Sequence, residues 1–141
     1  GLVAITPAAG TVDLLGAFCI GIVTPIVCFF MVAAIKPKFK YDDALDAFGV
    51  HGIGGIIGSI LTGVFATRFI TGEDGVQGAL YGDWHQLGVQ IVATVVSIVF
   101  SAVITFILFK IVDSTIGLRV DKRVEEEGLD IYEHGESAYN H

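Results

Sequence analysis

Three long stretches of the chain contain no Asp, Glu, Lys or Arg. They are Leu14–Ile35, Ala47–Thr67 and Leu87–Phe109, of 22, 21 and 23 residues. As α-helices rising about 1.5 Å per residue, each spans ~30–35 Å, enough to cross a hydrocarbon core of roughly 30 Å. Strands are disfavoured, because an isolated strand in lipid leaves its backbone amides without partners. The pattern predicts an all-α membrane protein with three full transmembrane helices at about 14–35, 47–67 and 87–112.

The two ends of the chain differ from these helices. Gly1–Gly10 is apolar and contains Pro7, and we interpret it as the end of a fourth helix that begins before this chain. We therefore expect residues 1–112 to be the C-terminal part of a larger membrane domain, and residues 113–141 to form a tail. Within the tail, Val120–Leu129 is expected to form a short amphipathic helix. The sizeable apolar groups of the tail favour docking on the membrane domain or on a partner.

The charged residues give the predicted orientation. Only 16% of the residues are charged, against about 25% in soluble domains, and the mean hydropathy is +0.73. Arg68 alone lies in the loop between the second and third helices. The other seven basic residues lie between the first and second helices or at and after the end of the third: Lys36, Lys38, Lys40, Lys110, Arg119, Lys122 and Arg123. The positive-inside rule then places the 36–46 loop and the tail in the cytoplasm. The net charge of −7 and the lack of a clustered basic surface exclude a nucleic-acid-binding protein.

The second predicted helix combines many glycines with one histidine. His51 is the only histidine in a predicted span, and an ionisable group there usually faces a bundle interior or a solvated path. At helical spacing His51, Gly55, Gly58 and Thr62 share one face, which carries an imidazole and little bulk. Close helix packing would explain the glycines alone. The histidine favours a transport or proton-relay role, with a hydrogen-bonded structural histidine as the alternative.

The aspartates before this helix are assigned mainly structural roles. Asp42 and Asp43 are expected to cap the helix start, and Asp46 to complement its dipole, with a secondary role in tuning an inner vestibule.

Metal binding and catalysis are poorly supported by the sequence. His51 lacks a second ligand at i+3 or i+4, so neither a metal nor another cofactor is predicted. Ser59 is about 12 Å from His51 along the helix, too far for a nucleophile–base pair, so no enzyme is predicted.

The segment Asp42–Gly63, DDALDAFGVHGIGGIIGSILTG, resembles the signature helix of the ammonium transporter (Amt/Rh) family. Three further segments are similar to the family in the same order: GLVAITPAAG at 1–10, GLRV at 117–120 and EGLDIYEHGESAY at 127–139. The resemblance implies an eleven-helix fold in the plasma membrane, assembled as a homotrimer with one pore in each subunit. This chain would hold the end of helix eight and all of helices nine to eleven.

The resemblance also implies roles for single residues. His51 matches the second of two neighbouring pore histidines, which would contact ammonium or ammonia, and Thr6 matches a threonine near the outer vestibule. In the tail, Gly128, Asp130, His134 and Gly135 match a regulatory pattern that couples subunits and, in many microbes, meets a PII-type signalling protein. Tyr132 stands where plant members have a phosphorylated threonine, so that switch is not expected here.

Two other interpretations stay open at this point. The same helices would suit an ammonium sensor that signals through the tail. The chain would also be inert alone if it carries only half of a pore, since the first pore histidine and the outer recruitment site are implied to lie elsewhere. Ammonium transport across the lipid bilayer is the leading hypothesis.

Overall fold

The computed structural model describes residues 1–136 and is helical throughout its regular parts, with one isolated antiparallel bridge between Val12 and Ala66. Residues 137–141 at the end of the tail, including Tyr139, lie outside the described residues. The chain divides into two compact units, Gly1–Ile98 and Val99–His141. In the described chain, three helices are long and apolar enough to cross a membrane: Leu14–Phe39, Phe48–Phe65 and Trp84–Thr115. The predicted all-α membrane fold with three such helices is confirmed.

The first membrane helix, Leu14–Phe39, is built from three consecutive segments. They are α2 (Leu14–Phe30), a π-helical turn (Met31–Ile35) and α3 (Lys36–Phe39), after the short α1 (Leu2–Ile5). Asp13 caps its start, because its carboxylate accepts a hydrogen bond of 2.8 Å from the amide of Gly16. The helix continues past the apolar run that predicted it, since a charged last turn can reach water at the membrane surface. It ends at Lys40, whose φ of 52° is left-handed.

The second membrane helix, Phe48–Phe65, begins with a π-helical turn (Phe48–Gly52) and continues as α4 (Ile53–Phe65). Its glycines lie close to three other elements. A Cβ placed on Gly54 would lie 3.5 Å from Cys28 Sγ, which is ordinary contact with the first membrane helix. A Cβ on Gly58 would lie only 2.3 Å from the carbonyl oxygen of Ala4. A Cβ on Gly63 would lie 2.9 Å from the Cα of Leu87 in the third membrane helix. The glycines therefore allow three neighbours to approach, as small residues do in membrane interfaces.

A small apolar core lies where α1 and the two membrane helices meet. Its fully buried members are Ala4, Ala8 and Ile20, with Ile5, Val12, Leu61 and Phe65 packed around them. At the same end of this unit, the amide of Thr67 donates to the carbonyl of Thr11, and the Tyr81 hydroxyl donates to the Asp13 carboxylate at 3.2 Å. The connection from 66 to 83, with α5 (Arg68–Thr71) and a 3₁₀ turn (Ala79–Tyr81), is thereby tied to the segment before the first membrane helix.

The third membrane helix, α6 (Trp84–Thr115), is the longest, with 32 residues. It begins earlier than the apolar run predicts, because the Asp83 carboxylate caps it by accepting hydrogen bonds from the amides of His85 and Gln86. None of its residues is buried within the part of the chain that the structure describes. Most of its apolar side chains are exposed, as expected of a helix that lipid or further protein covers, and a half-buried face near its start contains Gln86, Leu87, Gln90 and Thr94.

The second unit contains a short helix, α7 (Lys122–Glu127), and a π-helical turn (Asp130–His134). Two ion pairs, Lys122–Glu126 at 3.6 Å and Arg123–Glu127 at 2.7 Å, join successive turns of α7. Gly128, with φ of 99°, ends this helix, which is shorter than the predicted Val120–Leu129 because that φ is open to glycine alone among common residues. The division into a membrane domain of 1–112 and a cytoplasmic tail of 113–141 stays a prediction.

Candidate functional site

His51 lies in the π-helical turn that opens the second membrane helix, and its side chain is exposed within the described chain. A π-turn holds one more residue than an α-turn, and such turns occur frequently at functional sites. The sequence predicts the helix but not this irregular turn. The turn sets the direction of the imidazole relative to the rest of the helix, since one residue corresponds to about 100° of rotation.

The predicted face of His51, Gly55, Gly58 and Thr62 consists of two different halves. Around Gly55, an added Cβ would meet no atom within 4 Å, so the half that carries His51 is open. The half around Gly58 is closed by the backbone of Ala4, and Thr62 is buried there with its hydroxyl donating to the Gly58 carbonyl at 2.8 Å. Close packing therefore explains Gly58 and leaves the surface beside His51 and Gly55 free for a ligand or a further protein segment.

Asp43 holds the start of this helix. Its carboxylate oxygens accept hydrogen bonds from the backbone amides of Ala47 and Phe48, at 2.8 and 2.9 Å. These amides belong to the first turn, where no earlier carbonyl of the helix is available to them. Asp43 therefore has the capping role expected from the sequence.

Asp46 makes an interaction that the sequence analysis missed. Its φ of 55° is left-handed, a conformation that Asp tolerates better than most residues, and its carboxylate forms an ion pair with Lys36. The Lys36 ammonium also donates to the backbone carbonyl of Asp43. From the sequence, Lys36 was used only as a positive charge that indicates the orientation in the membrane. Lys36 ends one apolar run and three aspartates precede the next, and this arrangement could have indicated the ion pair.

Thr6 lies away from this end of the second membrane helix. Its hydroxyl is exposed and donates to the Leu2 carbonyl at 3.0 Å. The preceding α1 packs against Gly58, about 10 Å along the helix from His51 by helical rise. No hydrogen bond in the described chain joins Thr6 to His51, so their shared role in a pore stays a prediction.

The tail residues singled out by the sequence form two tight turns. Gly128 and Gly135 have positive φ, 99° and 64°, and flank the π-turn that contains Asp130 and His134. The amide of Glu136 donates to the Asp130 carbonyl at 3.0 Å, which closes this turn. The glycine spacing is thus explained by backbone geometry, while the regulatory role of these four residues stays a prediction.

Titratable groups in the described chain include no cluster of three or more His, Cys, Asp or Glu that suits a metal ion. Cys19 and Cys28 are free and half-buried. Outside the membrane helices, burial, followed by the charge and hydrogen bond of Asp13, raises the pKa of Tyr81 above its ordinary value. The site is therefore composed of one imidazole, an open glycine surface and an ion-paired helix start.

The model of the Ammonium Transporter Family matches residues 1–139. The chain belongs to this family. Ammonium transporters of Aquifex aeolicus and Bacillus subtilis are 49% and 50% identical over 140 and 139 residues, which is 99% of this chain in both cases. The chain spans only 32% and 34% of these relatives, about a third of their length. The relatives are named as transporters rather than enzymes, in agreement with the prediction.

Solved structures of the family have the same fold in the matched region. The crystal structure of Saccharomyces cerevisiae Mep2 gives a TM-score of 0.75 at 33% identity, over 85% of this chain and 28% of that one. Candida albicans Mep2 gives 0.75 at 32% identity, over 85% of this chain and 27% of that one. This chain is therefore a multi-pass membrane protein of the Ammonium Transporter Family.

Proposed function

We propose that this chain contributes one side of an ammonium-conducting pore, with His51 as the residue that contacts ammonium or ammonia. The observation that carries the proposal is the pairing of family membership with an exposed imidazole on an open glycine surface. Neutral imidazole both donates and accepts hydrogen bonds, so it can bind ammonia or pass a proton. It does not present the ring of oxygen ligands that must replace the water shell of a metal cation.

The open half of the second membrane helix suits a partner histidine from the remainder of the transporter. Gly55 leaves space one turn beyond His51, with no atom within 4 Å of an added Cβ. Gly58 and Thr62 close the next part of the face. The exposed path along this helix is therefore short, and the imidazole lies at one end of it.

The experiment uses a chimeric transporter, in which this chain replaces the matching segment of the Bacillus subtilis ammonium transporter. Uptake of radiolabelled methylammonium is measured in cells that lack their own ammonium transporters. His51→Ala is expected to change the uptake rate or the ammonium-to-methylammonium selectivity by roughly tenfold or more, about 1.4 kcal/mol at the barrier. His85→Ala, at an exposed histidine of the third membrane helix, is the matched control. Unchanged rate and selectivity in a folded His51→Ala chimera would contradict the pore role.

Assembly and orientation extend this proposal. A homotrimer accords with the third membrane helix, whose many exposed apolar side chains require cover from lipid or protein. The 36–46 loop and the tail are assigned to the cytoplasm on the distribution of basic residues. Cysteine accessibility tests the orientation: Lys38→Cys is expected to react with an impermeant maleimide only after cell lysis, and Glu73→Cys in intact cells. The reverse labelling pattern would invert the topology.

The tail is proposed to bind a PII-type signalling protein on the cytoplasmic face. Support comes from its two glycine turns, which present exposed Leu129, Ile131 and Tyr132 beside charged groups. Deleting residues 120–141 from the chimera is expected to abolish co-purification of that protein while uptake persists. Loss of signalling with no transport defect in any pore variant would instead favour the ammonium sensor.

A further inference from the structure

The ends of the first two membrane helices are joined by a group of residues that we call the clasp: Lys36, Asp43 and Asp46. Lys36 follows the π-turn of the first helix, and Asp46 precedes the π-turn of the second. The Lys36 ammonium bonds both to the Asp46 carboxylate and to the Asp43 carbonyl. One side chain of the first helix therefore fixes two points of the loop that leads into the helix carrying His51.

Partial burial makes this ion pair more than a surface contact. The side chains of Lys36 and Asp46 are 25% and 34% exposed, whereas three ion pairs around α7 involve side chains that are at least 44% exposed. Screening by water and salt weakens exposed pairs most. The clasp is also the point where the two π-turns touch, since an added Cβ on Gly49 would lie 2.7 Å from Val32 Cγ2.

The connection from the clasp to the histidine is short and continuous. The Asp46 carbonyl accepts a hydrogen bond of 2.9 Å from the amide of Val50, the residue before His51. The Asp43 carboxylate holds the amides of Ala47 and Phe48, and the Phe48 ring packs edge-on against Tyr41 at 5.8 Å between centroids. The backbone between the clasp and His51 is thus held in place by these hydrogen bonds and by the contact between the two rings.

The physical consequence concerns the phase of the helix. Farther along, Gly58 is held against the Ala4 backbone, so that part of the helix cannot easily rotate. If the clasp is released, the π-turn is free to return to α-helical geometry. The extra residue of the π-turn must then be accommodated by a rotation of the helix between Asp46 and Gly58. A shift of one residue rotates a side chain by about 100°, enough to turn the imidazole away from the open glycine surface.

We propose that Lys36 is a positioning residue for His51, acting through Asp46 and the π-turn; this rests on the proposed function. Lys36 does not contact substrate. It selects the helical register in which the imidazole faces the open half of the second membrane helix.

The test measures methylammonium uptake by the chimeric transporter as a function of concentration. Lys36→Met is expected to lower the maximal rate at least threefold and to change KM less than twofold, because the outer entry site is untouched. Lys36→Arg keeps both hydrogen bonds within reach and is expected to restore the rate. Lys38→Met removes an exposed lysine of the same short helix and is the matched control.

A double-mutant cycle separates positioning from general structural damage. In the His51→Ala background, Lys36→Met is expected to cause no further loss, because the group being positioned is gone. Asp46→Asn is the second variant. It retains the preference for left-handed φ, removes the charge, and is expected to reproduce the effect of Lys36→Met.

The outcomes distinguish the two proposals. If His51→Ala lowers uptake but both Lys36→Met and Asp46→Asn are fully active, the clasp inference is overturned and the pore role stands. An additional loss from Lys36→Met in the His51→Ala background would also overturn it, since the lysine would then act elsewhere. If His51→Ala itself has no effect, the proposed function fails first.

Discussion

Replacing Gly58 by alanine tests the close approach that closes half of the histidine face. The new Cβ would lie 2.3 Å from the Ala4 carbonyl oxygen, 2.7 Å from its Cα and 2.8 Å from its carbonyl carbon. Ordinary contacts of a Cβ lie at 3.4–4 Å. The obstacle is backbone rather than a flexible side chain, so α1 must move by about 1 Å, and Ala4 belongs to the buried core.

The magnitude follows from two opposing terms. Overpacking of this kind costs about 1–3 kcal/mol, whereas alanine in place of a helical glycine gains up to about 1 kcal/mol. Gly58→Ala is therefore expected to destabilise the protein by about 1–2 kcal/mol. Gly55→Ala is the matched control, because its Cβ meets nothing within 4 Å and only the favourable term remains.

Thermal unfolding of the detergent-purified chimera measures both variants. Gly58→Ala is expected to lower the unfolding midpoint, and Gly55→Ala to leave it unchanged or raise it. Equal midpoints for the two variants would refute the reasoning, because the whole difference between them arises from contact with the Ala4 backbone.

Three further changes give expected results that the same preparation can check. Asp43→Ala removes the acceptor for two helix amides and is expected to lower stability by about 1 kcal/mol in denaturation assays, with Asp43→Asn closer to the parent. Thr62→Val keeps the shape but removes the hydroxyl donated to Gly58, so a loss of about 1 kcal/mol or less is expected, and a larger loss would show a second partner. Tyr81 has a raised pKa because of burial first and then Asp13, so the folded protein holds this proton more tightly than the unfolded chain. Its stabilising contribution is complete below about pH 10 and declines as pH rises further, and Tyr81→Phe is expected to remove that decline in alkaline melting curves.

The membrane helices could be predicted because the signal for them is local. A run of 21–23 residues without charge specifies a span regardless of what surrounds it. The structure places the short α1 at the start of the chain, and its interpretation as the end of a further helix stays a prediction. The first helix starts at the predicted Leu14, whereas the third starts earlier than predicted, since capping by Asp83 depends on loop geometry rather than hydropathy.

The two π-turns could not be predicted, since π- and α-turns differ by one residue while the hydropathy stays the same. The clasp was missed for a related reason. Its loop reverses through left-handed backbone at Lys40 and Asp46, neither of which is glycine, so no composition signal marks the reversal. The glycine face was predicted as one surface, but its closed half depends on Ala4, which only the folded chain brings to Gly58.

The glycines of the second membrane helix also have a consequence for how the protein is made. Among the three membrane helices this one has the lowest hydropathy, so it partitions least readily into lipid by itself. Gly54 and Gly58 gain contact against the first helix and α1, which leave the ribosome earlier, whereas Gly63 faces Leu87 of the third helix. We therefore expect packing against the first membrane helix, which the order of synthesis places in the bilayer beforehand, to favour insertion of the histidine-bearing helix.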